Sequence, residues 1–355
     1  MVPSILIVDT YYPDFLKSVP LESQNYGIEL RRLLDRCFGT FDAYSRNLRA
    51  CGWFAHDVIA NHADLQELWA QESHWYGGDR LEAQIAFHDP DVIFMQDLSL
   101  DVDKRDRLLA GQCSCPWPGD EKIRKYDVIF TSFPHYVERI QKLGVRPVYN
   151  PLAFEPGVAD RCHPDMFPVL PTESIAMDFG RIHDVVFIGG VGNPSHWRYG
   201  MEVLEAVACH IPTFKWWGYG AEALPPDSAL REKYQGEAWG LDMYEILLQS
   251  KICLNRHGEI AQGYANNMRL FEATGCGALL LTEEAANLQQ FFGHDEVVTY
   301  YSPQEAVAEI RYYLKNEDER RFIAANGQRR TLRDHTYAQR MTTVSETLKG
   351  SLCPT

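Results

Sequence analysis

The sequence predicts an α/β protein of two domains, each built on a parallel sheet. Short apolar runs of strand length alternate with longer amphipathic stretches along the chain. One proline-rich passage, with Pro151, Pro156, Pro164, Pro168 and Pro171, interrupts the alternation and reads as an interdomain connection. A length of 355 residues also exceeds one small core and suits two domains of ordinary size.

Taken in order, Ser4-Ile5-Leu6-Ile7-Val8-Asp9 is a short apolar run, as expected of a strand buried on both faces. Helical stretches follow over 22–38 and 41–51, then an alternating strand at 55–59 and a helix over 62–72. Further strands are expected at 91–95, ending in Gln96-Asp97, at 126–130, ending in Thr131-Ser132, and at 145–149. Beyond the prolines a second series begins with Asp184-Val185-Val186-Phe187-Ile188. Its later strands fall near 213–217, 251–255, 278–282 and 296–300, with helices between and two long helices at the end. The expected domains are 1–165 and 175–334, with the helix 335–352 returning to the first.

Composition excludes several functions. The formal net charge of −15 opposes a nucleic-acid partner or an anionic membrane surface, both of which need a basic face. No apolar stretch approaches a membrane span. The first nine residues lack the basic n-region of a signal peptide, so a cytoplasmic location is expected. Nine cysteines, mostly inside apolar segments, read as reduced thiols. Cys113-x-Cys115 is the one close pair, and without a second pair at metal-site spacing no metal or cofactor is expected.

The most informative segment is Asn266-Asn267-Met268-Arg269-Leu270-Phe271-Glu272-Ala273-Thr274-Gly275-Cys276-Gly277-Ala278, followed by three leucines and Thr282-Glu283. It reads as a loop, a short helix, a glycine turn and a buried strand. Arg269 and Glu272 are three apart and share a helix face. A guanidinium beside a carboxylate suits a ligand carrying both phosphates and hydroxyls; a surface ion pair is the plain alternative. Two other regions stand at strand ends. Phe187-Ile188-Gly189-Gly190-Val191-Gly192-Asn193-Pro194 is a strand entering a glycine loop before a helix, where backbone and helix dipole favour anions. Ser195 stands where a dinucleotide fingerprint has its third glycine, which weighs against a nicotinamide cofactor. Asn255-Arg256-His257-Gly258-Glu259 places charge and imidazole directly after a buried strand, in a loop that solvent alone could also explain. Lys215-Trp216-Trp217-Gly218-Tyr219-Gly220 ends another strand, with Tyr219 the better stacking candidate.

The string Asn-x-Arg-x-Phe-Glu-Ala-x-x-Cys-Gly-Ala resembles the donor-site segment of GT-B glycosyltransferases, most closely the CgeB-like branch of the group 1 enzymes. The resemblance covers roughly 180–340, ending in Asn326-Gly327-Gln328-Arg329-Arg330 and His335-Thr336-Tyr337. It implies two Rossmann-like domains facing a cleft and transfer of a sugar from a nucleotide-activated donor to an acceptor hydroxyl. The group usually retains anomeric configuration and needs no metal. By the same resemblance Arg198 and Arg269 would meet the diphosphate, and Gly190 would let it approach the backbone. Tyr219 and Met243 would shelve the base, Glu272 would hold the ribose, and His257, Asn267 and Glu259 would orient the sugar. The family's upstream glutamate, eight residues before Glu272, is replaced by Tyr264, and Glu259 is the nearest acid before it. In the N-terminal half, Asp97, His135 and Asp14 stand near strand ends as candidate bases for an inverting reaction. A sugar-nucleotide epimerase or a non-catalytic nucleotide-sugar-binding protein are the alternatives. The acceptor is expected to be soluble: a protein, a metabolite or an oligosaccharide.

Overall fold

The computed structural model describes residues 2–163, 180–191 and 194–353, leaving aside the side chains of 194–199. The chain divides into two compact units, Met1–Pro151 with Tyr337–Thr355, and Leu152–Thr336.

The first unit holds a six-stranded sheet of β1 (Ser4–Asp9), β2 (Phe54–Ile59), β3 (Val92–Met95), β4 (Leu108–Cys113), β5 (Val128–Thr131) and β6 (Arg146–Tyr149), in the order β2-β1-β3-β4-β5-β6. All pairings are parallel. The central strands are apolar because helices cover both faces: Ile5, Leu6, Ile7 and Val8 are all buried. β4 is not expected from the sequence, since Leu-Leu-Ala-Gly-Gln-Cys is short and broken by glycine. Gly111 is required there: a Cβ would stand 2.7 Å from the Leu98 side chain and 3.0 Å from Met95 O. The last helix, Tyr337–Leu352, belongs to this unit, burying Met341, Val344 and Leu348 and accepting a hydrogen bond from Trp53 Nε1 to Ser345 Oγ at 2.8 Å.

The second unit holds a five-stranded parallel sheet, β7 (His183–Ile188), β8 (Phe214–Trp217), β9 (Ser250–Asn255), β10 (Leu279–Glu283) and β11 (Val298–Tyr300), in the order β11-β10-β9-β7-β8. Its core joins the apolar faces of these strands to Val203, Leu204 and Val207 of the helix Pro194–His210 and to Val307 and Ile310 of the helix Pro303–Lys315. Pro303 and the Ser302 side chain, which accepts from Glu305 N–H, start that last helix.

The division falls at Leu152, where the sequence placed it near 165. Residues 152–163 join the second unit through Phe154, whose N–H donates to His335 O at 2.9 Å. Its ring also lies where a Cβ on Gly275 would be, at 2.4 Å. Pro164, Pro168 and Pro171 lie outside the described residues.

Candidate functional site

In an open parallel sheet the ligand crevice forms at the carboxyl ends of the two strands whose connections leave in opposite directions. In the second unit these are β7 and β9, since β8 flanks β7 on one side and β9 on the other. Three of the sequence-selected segments end here: Gly189-Gly190 after β7, Arg256-His257 after β9, and Tyr219 after the neighbouring β8.

Arg256 bridges the switch point. Its Nη2 donates to Gly190 O at 2.7 Å, its guanidinium lies 5.4 Å from the centre of the Phe187 ring, and its residue is only 5% exposed. Burial lowers its pKa to about 10, still far above neutrality, so the charge persists. Gly200 makes room for it, because a Cβ there would stand 2.5 Å from Arg256 Cδ and Nη1. The helix Pro194–His210 therefore sits close to a buried cation. Gly190 is close-packed too, although against the end of a side chain: its missing Cβ would meet the Tyr219 ring at 2.3 Å. Tyr219 in turn stacks on Trp239, with centroids 6.0 Å apart and planes 14° from parallel. With Tyr219 44% exposed, the pair leaves an aromatic surface open to a planar ligand. Gly218 allows this turn by a φ of +149° and by lacking a Cβ, which would fall 2.1 Å from Gly189 O.

The short helix Arg269–Gly275 brings the next pair. Arg269 Nη1 and Glu272 Oε2 are 2.8 Å apart, with side chains 13% and 5% exposed, so this is a buried ion pair and not a surface one. Glu272 Oε1 accepts from Tyr244 OH at 3.2 Å. The guanidinium also lies 3.1 Å from Met243 Sδ and donates from Nη2 to Ile188 O at 3.4 Å, fixing it at the end of β7. Met243 thus touches the arginine that the sequence reading placed on the diphosphate.

Asn267 serves the scaffold. Its Nδ2 donates to Asn255 Oδ1 and Arg256 O, both at 2.9 Å, and its Oδ1 accepts from Leu270 N–H at 3.2 Å, which starts the helix. Those bonds leave it little to offer a sugar. His257 lies over β10: its N–H donates to Glu283 Oε2 at 3.1 Å and its Nε2 is 3.3 Å from Thr282 Oγ1. Burial pushes its pKa down to about 4, so the ring is neutral. Its Nδ1 is buried with no hydrogen-bond partner. Glu283, which the sequence reading passed over, has its pKa raised by burial, against the pull of the His257 N–H and the Arg256 charge. Glu259 is exposed at the start of a single 3-10 turn. The side chain of Arg198 lies outside the described residues.

In the first unit the corresponding switch point is between β1 and β3. Thr10 Oγ1 donates across it to Asp97 Oδ2 at 2.6 Å, and Ser99 N–H donates to Asp97 Oδ1 at 2.7 Å. Burial would raise the Asp97 pKa, but these hydrogen bonds outweigh it and hold the carboxyl below its usual range. Such a carboxylate is a poor proton acceptor near neutrality. Asp9, at the end of β1, behaves oppositely: burial, helped by the charge of Asp97 against the Thr10 N–H bond, raises it to about 7. The sequence contains Asp9 but nothing in it distinguishes the two acids; only their packing does. His135, in the first turn of the helix Pro134–Lys142, packs against Phe133 and Tyr136, and burial lowers its pKa. Asp14 is an exposed partner of Lys17 at 2.8 Å.

Among the described residues, no cluster of three or more His, Cys, Asp or Glu could hold a metal ion, and no helix is long and apolar enough to cross a membrane. Residues 198–346 match the model of a family described as glycosyl transferase-like. No curated protein matches the chain in sequence. Among solved structures, HepE of Anabaena in complex with UDP-glucose is similar with a TM-score of 0.60 at 12% identity, over 98% of this chain and 99% of that one. Sucrose-phosphate synthase of Thermosynechococcus elongatus follows at 0.56 and 12%, over 98% and 100%. The UDP-GlcNAc 2-epimerase of Neisseria meningitidis bound to UDP-GlcNAc reaches 0.51 and 10%, over 98% and 99%. At such identities the likeness is one of fold: two parallel-sheet α/β domains of the GT-B class.

Proposed function

We propose that this chain is a glycosyltransferase that binds a uridine diphosphate sugar on its second unit and transfers the sugar to an acceptor hydroxyl. The observation that carries the reading is the buried Arg269–Glu272 pair, held at the end of β7 within the glycosyl transferase-like segment. A buried guanidinium at a sheet's switch point, beside a glycine turn entering a long helix, is an arrangement suited to a diphosphate.

In this reading the diphosphate meets the N-terminal end of the helix Pro194–His210, where aligned peptide dipoles favour negative charge. Arg269 adds fixed charge from one side, and Arg256 supports the glycine turn from beneath. As the glycosidic bond breaks, negative charge grows on the leaving phosphate. Preorganised cations and dipoles in a poorly solvated site stabilise it without reorganising, the part a divalent ion plays elsewhere. Tyr219 on Trp239 offers the face for the uracil ring. Glu272, whose two oxygens each already accept one hydrogen bond, keeps a lone pair on each for ribose hydroxyls. The transfer retains configuration, with the donor phosphate taking the acceptor proton, so no side chain need act as base. Product anomeric configuration, read by NMR, tests this step.

The test is thermal unfolding with UDP, other nucleoside diphosphates and their sugars, with chelator present. A ligand at a hundredfold over its Kd stabilises the native state by about 2.7 kcal/mol. For a unit of this size that is a rise of roughly 5–10 °C. UDP should give it and purine diphosphates should not. If no nucleoside diphosphate moves the transition, the glycosyltransferase reading fails. The fold is shared with an epimerase, and turnover of a UDP-sugar with no acceptor present would favour that alternative.

A further inference from the structure

The first unit carries a groove that the donor site does not use. It has a volume of about 880 Å³, within the size range of ligand clefts. Ala60 and Asn61, directly after β2, form one wall, Leu100 and Asp101, after β3, close another, and the segment 75–81 forms the third. It therefore opens at the carboxyl edge of the sheet, where ligands of parallel α/β folds bind.

Its third wall is unusual. Trp75 and Tyr76 are consecutive aromatic residues, 40% and 85% exposed, and folding gains little from either. The loop that carries them is nevertheless built. Trp75 N–H donates to Ala70 O at 2.8 Å, His74 takes a left-handed φ of +52°, and Asp79 Oδ1 accepts from Leu81 and Glu82 N–H to start the next helix. A loop fixed at both ends thus presents two aromatic faces to solvent beside a cleft. The opposite wall is equally fixed, because the Asn61 amide exchanges hydrogen bonds with both backbone groups of Tyr11, at 2.9 and 2.7 Å.

Charge narrows the ligand class. The carboxylates of Glu67, Asp79 and Asp101 line the groove with one lining cation, Arg80, and two of the three are matched, Glu67 by Arg80 and Asp101 by Lys122 and Lys125. With those cations already committed, a phosphorylated or sulfated ligand, nucleotides among them, would gain no ion pair from the lining. A lipid chain would leave these polar groups without partners. What fits is an uncharged molecule with an apolar face to lie on aromatic rings and hydroxyls at its rim to meet carboxylates and amides. A pyranose has that form.

We propose that this groove binds a neutral oligosaccharide, which is the acceptor of the transfer. Its role as acceptor site rests on the glycosyltransferase reading; its ability to bind a saccharide does not.

The experiment uses the full chain on an array of neutral, sulfated and sialylated oligosaccharides, with Trp75→Ala and Tyr76→Ala alongside. Both positions are exposed enough that substitution should leave folding intact, and the UDP-induced rise in melting temperature checks this for each variant. The wild type should bind a subset of the neutral glycans and none of the acidic ones. Each variant should weaken that binding at least roughly tenfold, as expected for loss of an aromatic contact of about 1.4 kcal/mol, with the UDP response unchanged. Binding of no neutral glycan, preference for the acidic ones, or undiminished binding by both variants overturns the proposal, and an intact UDP response then leaves the donor reading standing. Glycan binding lost in the variants with no UDP response in the wild type leaves the groove and removes the donor.

Discussion

Replacing Arg269 by alanine should cost stability as well as nucleotide affinity, and the two can be separated. Glu272 is 4% exposed and its neighbours supply one cation, Arg269 at 2.8 Å, and one neutral donor, Tyr244 OH at 3.2 Å. Removing the guanidinium strands a carboxylate with a single hydrogen bond, a class of change that costs about 3–5 kcal/mol. For a unit of this size each kcal/mol moves the midpoint by about 2–4 °C, so the loss should reach roughly 6–20 °C. Arg269→Ala with Glu272→Gln removes the stranded charge while keeping an acceptor for Tyr244, and should regain about half of the loss or more. Urea unfolding of the wild type, the single variant and the double variant measures this, and calorimetric titration with UDP is run on each folded protein. Affinity should stay low in the double variant, because stability returns but the cation does not. A single variant that loses less than about 1 kcal/mol, or a double variant no more stable than the single, would refute the account of a buried pair whose charge must be matched. Recovery of UDP affinity in the double variant would refute the diphosphate role of Arg269.

The glycines at the same site should respond differently from one another. Gly218→Ala meets backbone, with Gly189 O 2.1 Å from the new Cβ and a φ of +149°, and should lose more than about 2 kcal/mol in chemical unfolding. Gly190→Ala meets the half-exposed Tyr219 ring, which can swing aside. It should cost less than about 1 kcal/mol yet weaken UDP roughly tenfold by displacing the ring from Trp239; equal losses of stability would contradict this. Asp57, on β2, tests linkage. It is 7% exposed, its Oδ1 has no hydrogen-bond partner, and Arg49 stands 3.6 Å away. Burial raises its pKa to about 7, against the Ser45 hydrogen bond and the charge of Arg49. Between the ordinary carboxyl range and pH 7 the native state keeps a proton that the unfolded chain has released, so this contribution is complete in acid and is lost as pH rises. Asp57→Asn should therefore match the wild type near pH 4 and exceed it at pH 8 by up to about 4 kcal/mol; a pH-independent difference between the two melting curves would sink the assignment.

Much of the fold was legible because buried parallel strands announce themselves as short apolar runs, and β1, β3, β7, β9 and β10 each have one. β4 was not legible: its glycine lowers the signal, and the reason for that glycine, the packing of Leu98 and Tyr126, lies elsewhere in the sequence. The domain boundary was displaced for a similar reason, since the bond between Phe154 and His335 joins residues far apart along the chain. At the candidate site, Arg269 and Glu272 pair on their short helix and Arg269 reaches Ile188 O at the end of β7, while Gly190 after β7 packs against Tyr219 after β8. Asn267 could be placed in the loop, but not its three hydrogen bonds, which turn it from a ligand candidate into a strut. Arg256 stands in the motif after β9 with no local sign of burial, because arginine is ordinarily exposed. Only its hydrogen bond to Gly190 O and the space left by the missing Cβ of Gly200 reveal that it is buried. The signal available was indirect: Gly200 interrupts an otherwise well-formed helix, and such a glycine usually has a packing reason.

The two units present opposite electrostatics at equivalent places in the same kind of sheet. At the β7/β9 end, the buried charges are the cations Arg256 and Arg269, the latter balanced by Glu272. At the β1/β3 end the charges are carboxylates, the partly exposed Asp9 and Asp97 with buried Asp57 on the adjacent strand, and the hydroxyls of Thr10 and Thr40 are bonded to Asp97 and Asp9. Stability alone does not favour this, because like charges brought together in a packed region raise each other's pKa, as Asp97 and Asp57 do for Asp9. A cation-bearing crevice favours an anionic ligand, and an acid-bearing edge favours donors of hydrogen bonds. One molecule that transfers a sugar has to meet both kinds of reactant, a diphosphate on one side and a hydroxyl on the other.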